Sequence, residues 1–285
     1  MTSIPRSTEP YNGGDAENRE MKNHEVLRNL VRDKKIFAVD LDGVVWRGNQ
    51  LIPGADGCIA ALREMGKQVV FTTNSSTGGR ELVAEKIRRL GIPCRDADVF
   101  TALMATIHYL KKEPAAQKGV CCIGLPDMVK EVGRSGLKLS PPEDCGCLVI
   151  GYKLDLCSED GELALRAWKN GARLIATNVD AYVPQPDGSI VPGCGFTVGA
   201  VCGVYGRGPD MIAGKPNTPI LDLALESNGM TRADAVVIGD LYASDVAMAK
   251  AAGVPALWIS EKEESGEADV YCIPSLRALW ERGIR

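Results

Sequence analysis

Two aspartates, Asp40 and Asp42, lie directly after the apolar run IFAV and just before Gly43. Carboxylates two positions apart at a strand end can project to the same side, and oxygen ligands of this kind suit Mg²⁺. One carboxylate could attack phosphorus and form an aspartyl-phosphate, while the other protonates the leaving alkoxide and later takes a proton from water. Acidic residues and glycine also favour turns, so a solvated turn is the alternative that this pair alone leaves open.

Hydroxyl and amide side chains cluster after a second apolar run, KQVVF, as Thr72, Thr73, Asn74, Ser75 and Ser76. Hydroxyl groups and backbone N–H groups ahead of a helix hold phosphate oxygens well. Thr72, Thr73 and Asn74 are therefore candidate phosphate- or substrate-binding residues. Capping of the next helix by Ser75 or Ser76 is the structural alternative.

Two later apolar runs end in charged residues that could complete such a site. The segment MIAG leads into Lys215, whose ammonium would offset the charge of the carboxylates and of a phosphoryl group. The run AVVIG is followed by Asp240, a natural third carboxylate ligand for Mg²⁺, and Asp245 stands at the next helix start. Taken singly, Lys215 could be a surface lysine and Asp240 could cap the following turn.

These residues all follow short apolar runs that alternate with helical patterns along the chain. The runs are rich in Val and Ile and nearly continuous in hydrophobicity, which suits strands buried on both faces of a parallel sheet. They are KKIFAVD, KQVVFTT, KGVCCIG, CLVIG, RLIAT, AVVIGD and VPALWIS. Helical patterns that each stop at a glycine cover 55–65, 80–90, 159–170, 219–228 and 245–252. The alternation predicts an α/β doubly wound fold, in which ligands bind outside the carboxyl ends of the strands.

Composition and charge narrow the classes of partner. The 285 residues predict about two domains, and 33 basic against 37 acidic residues give a net charge of −4. That acidic balance disfavours nucleic acid, whose phosphates need Lys and Arg. No apolar run is long enough to span a membrane, and the N-terminus lacks the apolar segment of a signal peptide. We therefore expect a cytoplasmic protein with no nucleic-acid partner and no membrane partner.

The ten cysteines are expected to be reduced thiols in that compartment. The close pairs, Cys121 with Cys122 and Cys145 with Cys147, lack the spacing of a zinc site. Cys122 and Cys147 stand in apolar runs, where a thiol packs as a small hydrophobic group. A zinc centre is therefore not favoured.

Four segments carry the candidate residues in a fixed order: DLDGVVWRG, FTTNSS, GKPNTPI and GDLYASD. Together they resemble the four motifs of the haloacid dehalogenase (HAD) superfamily, and more narrowly its NagD, p-nitrophenylphosphatase and phosphoglycolate phosphatase branch. The likeness covers nearly all of residues 34–260. It implies an HAD-type phosphoric monoester hydrolase with a Rossmann-like parallel-sheet core, which uses Mg²⁺ to act on a small phosphorylated metabolite.

The resemblance gives a catalytic or binding role to five motif residues. Asp40 matches the nucleophile, and Asp42 matches the general acid/base. Thr72 matches the phosphate-binding hydroxyl, with Asn74 near the substrate. Lys215 matches the lysine that neutralises charge.

For the metal, the resemblance implies that Asp240 is a carboxylate ligand, joined by the Asp40 side chain and the Asp42 backbone carbonyl. Asp245 matches a supporting or water-mediated ligand. The chain departs from the branch at two points: Thr73-Asn74 stands where Asn-Asn is frequent, and Ala-Ser-Asp at 243–245 replaces Arg/Asp-Thr-Asp. The catalytic residue types are intact, so activity is expected.

A long insertion separates the second and third motifs. Thr72 and Lys215 are 143 positions apart, whereas Lys215 and Asp240 are 25 apart. A doubly wound core does not need so long a connection, and the resembled branch carries an inserted α/β cap domain at this place. We predict a polar mobile tail at 1–24, an HAD core at 25–103 plus 207–285, and the cap at 104–206.

Within the predicted cap, Asn178 and Asp180 precede a loop rich in Pro and Gly. Family members have a similar T-N-x-D stretch facing the active site, so the resemblance implies that both residues bind substrate. A structural Asn/Asp turn is the alternative. The expected work of the cap is to exclude water and to shape a pocket around the leaving group. A homodimer formed through the cap is a further partner that the sequence leaves open.

Two other functions would use the same residues. A phosphotransferase or mutase would pass the phosphoryl group to a second hydroxyl instead of water, and the motifs do not separate this outcome from hydrolysis. The cap sequence has no obvious second cluster of basic residues that would bind a phosphate, so hydrolysis is the simpler interpretation. A non-enzymatic phospho-receiver module would also place an acid pair, a hydroxyl and a lysine around Mg²⁺, but it requires neither Asp42 at its spacing nor a cap.

Overall fold

The structure is a computed structural model, and it describes residues 24–284 except 186 and 263. The tail predicted at 1–24 therefore lies outside the described residues, apart from His24. No helix in the described part of the chain is long and apolar enough to cross a membrane. The ten cysteines are all free thiols.

Short strands and helices alternate through the described residues. The strands are β1 (Ile36–Asp40), β2 (Trp46–Arg47), β3 (Gln50–Leu51), β4 (Gln68–Thr73), β5 (Val99–Thr101), β6 (Val120–Ile123), β7 (Cys147–Ile150), β8 (Arg173–Ala176), β9 (Tyr182–Pro184), β10 (Ile190–Pro192), β11 (Met211–Ile212), β12 (Ala235–Gly239), β13 (Ala256–Ile259) and β14 (Val270–Ile273). The helices are α1 (24–33), α2 (Ala55–Glu64), α3 (Arg80–Arg89), α4 (Ala102–Lys112), α5 (Pro126–Arg134), α6 (Ser158–Lys169), α7 (Cys194–Tyr205), α8 (Pro219–Ser227), α9 (Ala247–Ala252) and α10 (Leu276–Leu279).

The larger sheet has six parallel strands in the order β14-β13-β12-β1-β4-β5. Its central strand β1 is buried at all five positions, because helices cover both faces of the sheet. Phe37 and Val39 pack into the cluster with α2 and α3, whereas Ile36 and Ala38 pack into the cluster with α8 and α9. This two-sided burial explains the continuous apolar run, and it confirms the predicted doubly wound α/β core.

A second, four-stranded parallel sheet has the order β11-β8-β7-β6 and confirms the inserted α/β cap. Helices α6 and α7 cover one face of it, and α4 and α5 cover the other. Helix α4 joins both layers, since Ala102 and Ala105 pack in the core cluster while Leu103 and Ile107 pack in the cap cluster. The cap boundaries at 104 and 206 stay a prediction, although β11 continues the cap sheet beyond residue 206.

The predicted capping of a helix by Ser75 or Ser76 is wrong, because α3 begins at Arg80 after the extended residue Gly79. The two serines hold the loop instead: the Ser75 N–H donates to Thr73 Oγ1, and Ser76 Oγ accepts from the Tyr152 N–H. At the other predicted start, residues Tyr242–Val246 form a turn of π-helix, so α9 begins at Ala247 rather than 245.

Candidate active site

The carboxyl ends of three neighbouring strands meet at one edge of the core sheet. Asp40 is the last residue of β1 and pairs in register with Thr72 of β4. Asp240 directly follows β12 on the other side of β1. The loop after β11 brings Lys215 to the same edge, where it is buried with 3% of its side chain exposed. The fold therefore collects residues that are up to 200 positions apart in the sequence.

Lys215 is the centre of the charged cluster. Its Nζ donates to Asp40 Oδ1, to Asp245 Oδ1 at 2.7 Å and to the Thr72 carbonyl oxygen at 3.4 Å. Burial alone would lower the pKa of this lysine, but the carboxylates of Asp245 and Asp40 outweigh it and raise that pKa. Lys215 is therefore a buried, permanent cation.

Three carboxylates lie around this cation. Among the residues that the structure describes, they are the one group of three or more His, Cys, Asp or Glu side chains close enough together to hold a metal ion. Oxygens of Asp40, Asp240 and Asp245 lie within 4.8 Å of one another. Burial raises the pKa of Asp40, and burial together with the charge of Asp245 raises the pKa of Asp240 to about 6. Three acids against one ammonium leave negative charge in excess. An all-oxygen, negatively charged donor set fits Mg²⁺.

Two glycines allow the carboxylates to approach this closely. Gly43 has a positive φ of 81°, and a Cβ placed there would lie 1.9 Å from Asp240 Oδ2. A Cβ on Gly239 would lie 2.1 Å from Cβ of Asp245. Neither distance leaves room for a side chain. The Asp240 carboxylate therefore packs directly on the backbone of Gly43, and the Asp245 side chain packs on that of Gly239.

The two threonines of β4 have different surroundings. Thr72 is fully buried, and its Oγ1 has no hydrogen-bond partner among the residues that the structure describes. A buried hydroxyl without a partner costs about 1–3 kcal/mol, so this atom suits an anionic oxygen presented beside Asp40. Thr73 Oγ1 accepts a hydrogen bond from the Ser75 N–H and holds the loop after β4.

Asn74 joins the core to the cap. Its Nδ2 donates to Asp180 Oδ1 at 2.9 Å and to the Lys215 carbonyl oxygen at 3.1 Å, while its Oδ1 accepts from the Lys215 N–H at 2.8 Å. Asn178 Nδ2 donates to the Asn74 carbonyl oxygen at 2.7 Å, and Asn178 Oδ1 accepts from the Asp180 N–H. The structure thus brings both cap residues to the site, where Asn178 is held mainly by the backbone of the core loop.

Asp180 is half-buried in this junction. Burial raises the pKa of its carboxyl group, while the hydrogen bond from Asn74 and the charge of Lys215 act in the opposite direction. The hydrogen bond from Asn74, whose amide also holds both backbone groups of Lys215, joins Asp180 to the lysine loop. Its carboxylate is therefore the acidic group that the cap contributes to this region.

Asp42 lies outside the group of three acids, with an exposed side chain. Its Oδ1 accepts a hydrogen bond of 2.7 Å from the indole Nε1–H of Trp46. The sequence reasoning missed this tryptophan, and it missed Trp258, whose indole N–H donates to the backbone carbonyl oxygen of Asp240 at 2.9 Å. The signal for Trp46 was its position four residues after Asp42 within the first motif; Trp258 carries no comparable signal.

Comparison with known proteins gives matches over both parts of the core. A haloacid dehalogenase-like hydrolase family model matches residues 37–138, and an HAD-hydrolase-like model matches residues 212–274. The sugar-phosphatase AraL of Bacillus subtilis (strain 168) is 33% identical over 235 residues, which are 82% of this chain and 86% of that protein.

Two solved structures show how far the architecture is shared. The p-nitrophenyl phosphatase from Archaeoglobus fulgidus has a TM-score of 0.79 at 30% identity, over 87% of this chain and 99% of that one. A glycerol phosphate phosphatase from Mycobacterium tuberculosis, solved in complex with magnesium, has a TM-score of 0.78 at 27% identity, over 88% of this chain and 78% of that one.

Proposed function

Because the chain belongs to the haloacid dehalogenase-like hydrolases, as a phosphoric monoester hydrolase of their NagD-like branch, we propose that it hydrolyses a small phosphorylated metabolite through an aspartyl-phosphate on Asp40. One observation carries the proposal: buried Lys215 holds Asp40 beside Thr72, whose hydroxyl has no hydrogen-bond partner among the described residues. This arrangement gives a nucleophile and a cation to offset charge, next to an acceptor site for a phosphoryl oxygen.

The metal site would be formed by side-chain oxygens of Asp40 and Asp240, with the backbone carbonyl of Asp42 and support from Asp245. These carboxylates are the acids that the structure holds together, and the relative from Mycobacterium tuberculosis was solved with magnesium. When bound, Mg²⁺ would supply positive charge that stabilises the transferring phosphoryl group. Asp245 would keep Lys215 charged and in place, since the two are joined at 2.7 Å.

The reaction would proceed in two steps on the chain's own residues. In the first, an Asp40 oxygen attacks phosphorus in line, the bond from phosphorus to the leaving oxygen breaks, and Asp42 gives that oxygen a proton. In the second, Asp42 takes a proton from water as the water oxygen attacks phosphorus. Inorganic phosphate leaves, and the Asp40 carboxylate is regenerated. Lys215 would offset the negative charge in both transition states.

For the substrate, we propose a phosphate ester that carries hydroxyl groups, with sugar phosphates as the first class to test. The cap places the Asp180 carboxylate near the charged cluster, and a carboxylate accepts hydrogen bonds from hydroxyl groups. The naming of one relative as a sugar phosphatase and of another as a glycerol phosphate phosphatase supports the same class. Asn178 would set the position of Asp180 through the bond from its Oδ1.

The test is phosphate release from p-nitrophenyl phosphate and from a panel of sugar phosphates, at increasing concentrations of Mg²⁺. We expect no turnover without the metal and none in Asp40→Asn, which also fails to give a phosphorylated peptide at residue 40 by mass spectrometry. Full activity in Asp40→Asn would contradict the mechanism. Measuring free phosphate against phosphorylated acceptor separates hydrolysis from transfer, and a phospho-Asp40 that persists without turnover would indicate a receiver module instead.

A homodimer through the cap stays a prediction. Leu165 and Trp168 of α6 and Phe196 of α7 are large apolar side chains that are exposed on the cap, and such a contact would cover surface of this kind. Sedimentation velocity of the wild type and of Phe196→Lys would show whether a dimer forms and whether this surface makes it.

A further inference from the structure

The loop after β1 folds Trp46 back against Asp42. The Gly43 N–H donates to the Trp46 carbonyl oxygen at 2.8 Å, and the Trp46 N–H donates to the Leu41 carbonyl oxygen at 3.1 Å. These bonds close a tight turn, in which the buried indole ring presents its Nε1–H to Asp42 Oδ1 at 2.7 Å. The exposed carboxylate of Asp42 is therefore held by a side chain that is itself fixed in the core.

An indole N–H donates a hydrogen bond and never accepts one. Asp42 Oδ1 is therefore the acceptor in this bond. In a protonated carboxyl group the carbonyl oxygen is a better acceptor than the hydroxyl oxygen, so the bond favours Oδ1 as the carbonyl oxygen and Oδ2 as the oxygen that carries the proton. Oδ2 then exchanges the proton with a leaving group or with water, and the bond from Trp46 fixes the direction in which Oδ2 points.

A lysine on α3 lies over the indole ring. Lys86 Nζ lies 4.0 Å from the centroid of the Trp46 ring, the distance of a cation–π contact. Within the part of the chain that the structure describes, the ammonium makes no hydrogen bond or ion pair that would compete with this contact. Burial lowers the pKa of Lys86 and the charge of Asp42 acts in the opposite direction, so the ammonium also acts electrostatically on that carboxylate. A cation over the ring withdraws electron density from it, which strengthens the N–H as a donor toward Asp42.

We propose that Trp46 is a positioning residue for proton transfer by Asp42, and that Lys86 supports it through the ring. The inference rests on the proposed function, in which Asp42 is the general acid/base. A purely structural role is the competing explanation, since Trp46 also packs in the hydrophobic cluster between the core sheet and helices α2 and α3. The two explanations differ at one atom: packing needs the ring, whereas positioning needs its N–H.

Leaving-group chemistry separates these explanations. The p-nitrophenolate ion leaves without help from an acid, whereas the alkoxide of glycerol phosphate or a sugar phosphate needs a proton. The measurement is kcat/KM, which reports phosphoryl transfer and excludes the later hydrolysis of the aspartyl-phosphate. For Trp46→Phe we expect kcat/KM on glycerol phosphate to fall about tenfold or more, with less than about a threefold change on p-nitrophenyl phosphate.

A second variant protects the test against loss of packing. Incorporation of benzothienylalanine at position 46 keeps the two-ring shape and replaces the N–H by sulfur, and it should reproduce the selective loss on the alkyl ester. Lys86→Met should give a smaller loss in the same direction, of about threefold. Trp168→Phe is the matched control, because Trp168 is an exposed tryptophan of the cap. Equal losses on both esters, no loss on either, or a gain on the alkyl ester would overturn the proposal.

Asp42→Asn distinguishes failure of this inference from failure of the proposed function. If Asp42→Asn does not lower kcat/KM on the alkyl ester, Asp42 is not the general acid and the proposed function fails. If Asp42→Asn lowers it but the two changes at Trp46 do not, only the positioning role fails. In the Asp42→Asn background, Trp46→Phe should have no further selective effect, since both changes act through one carboxyl group.

Discussion

Replacing Lys215 with methionine would leave two buried carboxylates, Asp40 and Asp245, without the ammonium that they share. Methionine is similar in length and carries no charge, so the change removes the ion pairs and keeps most of the buried volume. Breaking a buried pair by removing one partner costs about 3–5 kcal/mol, because the remaining charge is uncompensated. In a protein of this size, that free energy corresponds to a fall in Tm of roughly 6–20 °C.

Mg²⁺ should restore part of this stability, since a divalent cation offsets the same carboxylates. We expect the difference in Tm between wild type and Lys215→Met to shrink by roughly half at saturating Mg²⁺. The value of kcat should remain about 10²–10³-fold lower, because the charge that develops on the phosphoryl group is no longer offset at this position. Scanning calorimetry with and without Mg²⁺ and initial rates on p-nitrophenyl phosphate measure the two effects.

Lys118→Met is the matched control, since Lys118 is exposed and the same change there should shift Tm by about 1–2 °C at most. The double variant Lys215→Met with Asp245→Asn should be more stable than Lys215→Met alone, because one uncompensated charge is removed. A Lys215→Met protein as stable as the wild type would refute the reasoning. So would a double variant in which the two losses simply add.

Four further predictions concern the metal site and the cap. Because burial raises the pKa of Asp240 to about 6, protons compete with the metal, and the Kd for Mg²⁺ measured by calorimetric titration should rise as pH falls below about 6. The same raised pKa means that the Asp240 contribution to the stability of the metal-free protein declines as pH rises from about 4 to about 6, which urea titrations at several pH values would show. Gly43→Ala should weaken Mg²⁺ binding about tenfold or more, since the new Cβ would displace the Asp240 carboxylate; an unchanged Kd would contradict this. Asp180→Ala should lower kcat/KM more for a sugar phosphate than for p-nitrophenyl phosphate, whereas Asp240→Ala should lower both alike; equal losses for Asp180→Ala would mean that Asp180 only holds the loop.

The sequence predicted the four inner strands of the core sheet, β1, β4, β12 and β13, because their burial leaves continuous apolar runs. The two edge strands were not predicted, since β5 has three residues and β14 is only partly buried. The sequence also predicted the edge of the sheet at which the charged and polar side chains of the site meet, since they directly follow those runs. The hairpins β2–β3 and β9–β10 were missed because strands of two or three residues are too short to show an alternating pattern. Helix α7 was missed for another reason: it is apolar around its whole circumference, so no helical period marks it.

Contacts between distant residues were beyond the reach of local patterns. The pairing of Asn74 with Asn178 joins residues 104 positions apart, and nothing near either residue indicates its partner. Trp46 is only four residues from Asp42 in the sequence. The direction of its indole N–H nevertheless depends on a turn closed by backbone hydrogen bonds, and no periodic pattern in the sequence predicts that turn. Motif residues could therefore be found from sequence, while the groups that orient them required the fold.

The bonds of Asn74 limit how freely the two layers of this protein can be recombined. One amide group serves Asp180 in the cap and both backbone groups of Lys215 in the core. A chimera that receives a foreign cap without an acceptor at position 180 would leave that amide short of a partner, and the lysine loop would lose rigidity along with the cap contact. Replacing the cap to change specificity would therefore require residues 178–180 and Asn74 to be kept, or exchanged, together. Changes elsewhere in the cap would leave these hydrogen bonds intact, whereas changes at residues 178–180 would also disturb the core loop that Asn74 belongs to.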